Sequence, residues 1–216
     1  MTTQRRTVRP TDGFLLEGYG SIRGKLESWF VDPALFEARK DVLAFVVGLR
    51  FSSLLIYAIR KILNKTDLKA SWGVIIPETK NVRSASFSPE CDIIIHKECW
   101  VHQWNGEGSD GEPVLDFRFI SQEDVKAVIS CKSELFSGVD RGIRNEIDEI
   151  RAFAPRVWLF AERCPKSKVK KYTRDSKQAG YEHFWYLYTF DDDNPSSQEY
   201  AKPLWLEFAR ALRKLS

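Results

Sequence analysis

Three acid or base side chains, far apart in the chain, could share one piece of chemistry. Asp92 opens the apolar run CDIIIHK, Lys132 ends the run VKAVISCK, and Glu146 lies in GIRNEIDEI. Alternate residues of a strand point to opposite faces. Ser130 and Lys132 therefore share one face, and Val125, Ala127, Ile129 and Cys131 the other. Glu146 falls on one helical stripe with Ile143, Ile147 and Ile150, whereas Asp148 and Glu149 fall off it. An acid within an apolar stripe is costly unless it is paired or binds a cation. Glu146 reads either as a functional acid or as a salt-bridged residue at the rim. A carboxylate on one strand and a lysine on the next suggest a metal-dependent phosphodiesterase. Phosphodiester hydrolysis with Mg²⁺ needs hard oxygen ligands and gains from a cation near the attacked phosphate.

These residues need a buried sheet to bring them together, and the chain has the pattern for one. A long helix is predicted from about Asp32 to Asn64, capped by Asp32 with Pro33 in its first turn, and interrupted or kinked near Phe51-Ser52-Ser53. Strands are expected over 71–80, 91–97 and 124–132. The flanks of the polar tip NGEGSDGEP are expected to pair as a hairpin. A helix over 138–153, a strand over 156–162, a basic helix ending at Gly180, a strand over 184–190 and a closing amphipathic helix complete the order. DDDNPSSQ reads as a turn. Strands alternating with helices in the second half predict an α/β fold, with a mixed sheet covered on both faces.

The order helix, three strands, helix, strand resembles the αβββαβ core of the PD-(D/E)XK nuclease superfamily, which is restriction-endonuclease-like. In that superfamily an Asp starts one strand and Glu-x-Lys ends its neighbour. Pro89-Glu90-Cys91-Asp92 is similar to the Pro-Asp signature, Lys132 matches the lysine, and Ser130 stands where the second acid belongs. Two readings of Ser130 compete. One is an inactive nuclease fold that binds nucleic acid or a protein partner. The other is a relocated acid: one group of restriction enzymes has Ser-x-Lys in this strand and a glutamate fourteen residues after the lysine. In this chain that position is Glu146.

The resemblance implies a DNA endonuclease, in restriction or antiphage defence, that uses Mg²⁺ with Mn²⁺ as a substitute. Asp92 and Glu146 would hold the metal, Lys132 would orient the attacking water, and Ser130 would be a spectator or a hydrogen-bonding neighbour. Double-strand cleavage by so small a chain implies a homodimer. Glu37, Glu90 and Glu134 are further candidate acids. Arg141 and Arg144, together with Lys168 and Lys171 of the basic helix, are candidate DNA contacts.

Composition bounds the rest. At 216 residues, the chain fits one domain over 14–216 after a basic arm over 1–13. A net charge of +3 neither identifies nor excludes nucleic acid, because a local basic face can hide in a balanced total. None of the four cysteines forms a C-x-x-C pair, and no secretion signal is evident, so an intracellular (cytoplasmic), reduced protein is expected. The apolar run VLAFVVGLRFSSLLIYAI is broken by Arg50 and reads as a buried helix rather than a membrane span. Cys91, His96, Cys99 and His102 are too irregularly spaced for a zinc site, though His96 is expected on Asp92's face at the cleft edge.

Overall fold

The computed structural model describes residues 40–77, 87–97, 102–107, 113–134 and 141–216. The expected arm over 1–13, Asp32, Glu37 and Cys99 lie outside them. Helix α1 (Lys40–Ile62) leads into β1 (Leu68–Ile76), β2 (Cys91–Lys97), β3 (His102–Glu107), β4 (Pro113–Ser121) and β5 (Val125–Glu134). Then come α2 (Arg141–Arg151), β6 (Val157–Pro165), α3 (Val169–Ala179), β7 (His183–Asp191), β8 (Asn194–Tyr200) and α4 (Lys202–Arg213).

The eight strands of the described residues form one mixed sheet in the order β3-β4-β1-β2-β5-β6-β7-β8. At its centre β1, β2 and β5 run antiparallel in succession, and β6 lies parallel to β5. With α1 before these strands and α2 between the last two, this is the αβββαβ core of the restriction-endonuclease-like fold. The expected hairpin forms from β3 and β4, and β4 adds in parallel to the outer edge of β1. The hairpin thus extends the sheet without separating β2 from β5.

Each face of the sheet buries its own core. On one side Phe51, Leu55 and Ile59 of α1 and Phe208 and Leu212 of α4 pack on Ile93, Ile129, Trp158 and Phe160. On the other, Ile147 and Ile150 of α2 and Tyr172 of α3 pack on Ile94, Val128 and Leu159. Every residue of β6 is buried, as expected of a central strand with helices on both faces. Trp158 stacks edge-on to Trp185 at 5.1 Å, and Phe160 to Phe208 at 4.7 Å. These aromatics build the core rather than a base-stacking surface.

Several expectations are corrected. No break divides α1 at Phe51-Ser52-Ser53: the helix runs on through them, with Phe51 and Ser52 buried against the sheet. β5 does not stop at Lys132 but continues to Glu134, because β6 offers it partners as far as Arg163. DDDNPSSQ is not simply a turn. Residues from Asn194 onward form the edge strand β8, whose pairing with β7 overrides a poor strand composition. Gly180 ends α3 as expected, in the left-handed conformation at φ 105°, a region that favours glycine.

Candidate active site

The antiparallel register Ile93↔Ile129 and Ile94↔Val128 brings the start of β2 beside the far part of β5. The backbone N–H of Cys131 donates to Asp92 Oδ2 at 2.8 Å, fixing the carboxylate against β5. α2 crosses the same face, anchored by Ile147 and Ile150, which are almost fully buried. The stripe they define turns Glu146 toward the sheet, and Lys132 Nζ lies 3.8 Å from Glu146 Oε2. Asp148 and Glu149 are exposed, as their positions off the stripe predict. Both members of the Lys132–Glu146 pair keep about a third of their exposure, so solvent screens the attraction and leaves both groups accessible.

The electrostatics of Asp92 tie the cluster together. Burial pushes its carboxyl above the usual range, and the negative charges of Glu146 and Glu90 push it further. The Cys131 N–H and the Lys132 ammonium pull the other way without cancelling the shift. A buried carboxylate repelled by two other acids is a group whose charged form needs a cation. Glu90 itself is exposed, and its Oε1 accepts from Trp72 Nε1 at 2.6 Å. It therefore borders the cluster and is held by a neighbour.

The donor set can be tested against a divalent ion. Mg²⁺ keeps several waters and takes one or two protein carboxylates. Asp92 and Glu146 offer that number, and the carboxyl of Asp92 is raised chiefly by burial, with Glu146 and Glu90 adding to it. No group of three His, Cys, Asp or Glu side chains suited to a metal occurs among the described residues. The fit is to a water-rich, two-carboxylate site rather than to a protein cage.

The structure thus gathers Asp92, Ser130, Lys132 and Glu146 on one face, and three other expectations fare differently. His96 does not edge this cluster. It is wholly buried, some four residues or about 13 Å along β2, where Ser71 Oγ lies 3.0 Å from its Nε2. A register irregularity between Ile95 and His96 accompanies the change. Lys171 pairs with Asp175 at 3.3 Å, and Lys168 lies in the 3-10 turn before α3. The side chains of Glu134, Arg141 and Arg144 lie outside the described part.

Two features escaped the sequence reading. Tyr181, just after the Gly180 cap, is 3% exposed and packs among the α2-side core residues, with its hydroxyl within electrostatic reach of Glu146 and Asp92. No local pattern could reveal this, because the approach depends on how α3 returns the chain to the sheet. A cavity of about 370 Å³ also opens at the far end of β1, lined in part by Arg60, Lys69, Ser71 and Arg118.

Comparison with known proteins gives no match to any family model and none to a curated protein. Among solved structures, the chain is similar to NucC of Pseudomonas aeruginosa ATCC27853 in its cAAA-bound form. The identity is 11%, the TM-score 0.48, and 78% of this chain and 80% of that one are covered. NucC of Escherichia coli MS115-1 is similar in its cAAA-bound form (10% identity, TM-score 0.49, covering 78% and 79%). Its apo form gives 11% identity and a TM-score of 0.48, covering 85% and 92%. At these values no residue role or ligand is carried from those proteins to this chain.

Proposed function

We propose that this protein is a metal-dependent DNA endonuclease of the PD-(D/E)XK type, with its second acid relocated from the strand to α2 as Glu146. The observation that carries this reading is the meeting of Asp92 from β2, Lys132 from β5 and Glu146 from α2 on one face of the central sheet. Asp92 and Glu146 would hold Mg²⁺, or Mn²⁺ in its place. Bound there, the ion supplies Lewis-acid stabilisation of phosphate charge and a more acidic water. Asp92, fixed at Oδ2 by the Cys131 N–H, keeps its other oxygen for that purpose. Lys132 contributes positive charge where the phosphate oxygens become more negative, and its amine orients the attacking water. Arg141, Arg144, Lys168 and Lys171 would follow the DNA backbone, and two copies of the chain would cut both strands. Restriction or antiphage defence is the setting that suits such an activity.

The test is plasmid cleavage with Mg²⁺ or Mn²⁺ by the wild type, Asp92→Ala and Lys132→Ala. Cleavage by the wild type and its loss in both variants is the expected result. Full activity in either variant overturns the assignment. Gel filtration of the same preparations reports whether the active species is a dimer.

A second reading, a non-catalytic module of the same fold, is favoured by Ser130 at the acid position and by the lack of a three-ligand cluster among the described residues. It predicts no cleavage and no Mn²⁺ binding by calorimetry, and it still allows DNA retention through the basic side chains.

A further inference from the structure

Ser130 and Tyr181 bring two buried hydroxyls to the side of the sheet that α2 covers. Ser130 Oγ and Tyr181 Oη are both buried, and neither has a hydrogen-bond partner among the described residues. The residues themselves are 2% and 3% exposed. Ser130 lies on β5 directly opposite Leu159 of β6, and Tyr181 packs in the same core as Leu159, Ile147 and Ile150. The two hydroxyls are close enough for Ser130 to ease ionisation of the phenol, yet their geometry falls short of a hydrogen bond for either. Burial dominates and holds the phenol protonated, with Glu146, Asp92 and Cys131 adding to the effect.

Leaving one buried hydroxyl without a partner is expensive, and leaving two side by side is more so. A core position opposite Leu159 has simple apolar solutions, yet the chain keeps both O–H groups there, with Tyr181 in electrostatic reach of the two acids. Even a hydrogen bond between the two would use one proton and leave the other free to donate. The available acceptors are the carboxylates, or water held with them.

We infer that Tyr181 is a positioning residue of the metal site: with Ser130 it forms a two-hydroxyl shelf that donates to the carboxylate layer and occupies the place of the missing strand acid. The inference rests on the metal-site reading above. Ser130 is small enough to admit the phenol, and Tyr181 reaches in from the loop after α3. The shelf is ordered when the carboxylates are loaded and lacks partners when they are not.

Stability and metal affinity separate this role from a structural one. Tyr181→Phe removes one oxygen and leaves the ring packing in place. If the hydroxyl served the fold, the variant would melt lower. If it waits for the loaded site, the metal-free variant melts at or above the wild-type temperature while its affinity for Mn²⁺ falls. Loss of an outer hydrogen-bonding partner typically weakens metal binding about tenfold to a hundredfold.

The experiment is calorimetric titration of Mn²⁺ into the full chain as wild type, Tyr181→Phe, Ser130→Ala, the double variant and Asp92→Ala, with a thermal melt of each metal-free protein. Expected are a fall in affinity of at least about tenfold for Tyr181→Phe, an unlowered melting temperature, and a double variant little weaker than either single one. Tyr181→Phe binding Mn²⁺ like the wild type overturns the inference and leaves the metal-site reading standing. A lowered melting temperature with unchanged affinity assigns Tyr181 to the fold alone. Wild type that binds no Mn²⁺ overturns both readings.

Discussion

The two ends of β2 each bury a titratable group, and they treat it in opposite ways. At one end His96 is fully enclosed and satisfied. Its Nδ1–H donates to the Lys97 carbonyl, which can only accept, so its Nε2 is left to accept from Ser71 Oγ. Burial, helped by Arg118 and Arg60, lowers its pKa to about 4, against the opposing pull of the Lys97 carbonyl and Asp124. It is a neutral structural histidine. At the other end Asp92 has one backbone donor, the Lys132 ammonium and two repelling acids, and its carboxyl stays raised by burial. A buried polar group that the fold has satisfied belongs to the fold. One that the fold leaves short of partners calls for another explanation, and the proposed metal site supplies it for Asp92.

The largest effect of substitution is expected at Asp92. Asp92→Asn keeps the shape and an acceptor for the Cys131 N–H but removes the charge. Cleavage should fall to background, and Mn²⁺ affinity should fall by more than about a hundredfold, beyond the cost of an outer partner. The melting temperature of the metal-free variant should rise, because a buried carboxylate that resists ionisation no longer has to be charged. A destabilised Asp92→Asn that still binds Mn²⁺ would make this end of the strand structural too.

Acid should act next, and at the other end. The folded pKa of His96 lies below its unfolded value of 6.5, so the unfolded chain binds the extra proton between the two. The stability His96 contributes is therefore complete above pH 6.5 and is lost as the pH falls toward 4. The loss reaches about 3 kcal/mol. Urea unfolding of the wild type and His96→Gln across that interval measures it, and the variant should show a flatter profile.

At neutral pH, His96→Ala leaves Ser71 short of a partner and opens a void. It should cost about 2–3 kcal/mol in the same urea experiment, with Mn²⁺ affinity unchanged. A large change in affinity would show that the two ends are not independent.

The smallest effect expected is at Gly180. Its left-handed φ and a Cβ position 2.6 Å from Arg151 Nη1 predict about 1 kcal/mol of lost stability for Gly180→Ala. Because Gly180 sets the direction of the loop carrying Tyr181, a loss of Mn²⁺ affinity larger than the loss of stability would tie that loop to the site.

The element order and much of the cluster were legible in the residues. Period-two and period-three-to-four patterns are local, and they fix which side chains share a face before any packing occurs. That is why Ser130 fell with Lys132, why β2 ran from Cys91 to Lys97, and why Glu146 fell on a stripe with isoleucines while Asp148 and Glu149 did not. Where partners decide, the local reading failed. β8 exists because β7 has an edge to offer, and β5 runs past Lys132 because β6 lies beside it. His96 was expected near Asp92 because alternation counts faces but not distance along the strand, nor the register irregularity beside it.

The sequence by itself determined the acids, the lysine and the faces they occupy, because those follow from backbone periodicity. Only the tertiary structure decided that Tyr181 packs in the core under α2, that His96 is satisfied by Ser71, and that Asp92 is not satisfied in the same way. Hydrogen bonds and desolvation depend on which distant segments meet, and that information lies in no single stretch of chain.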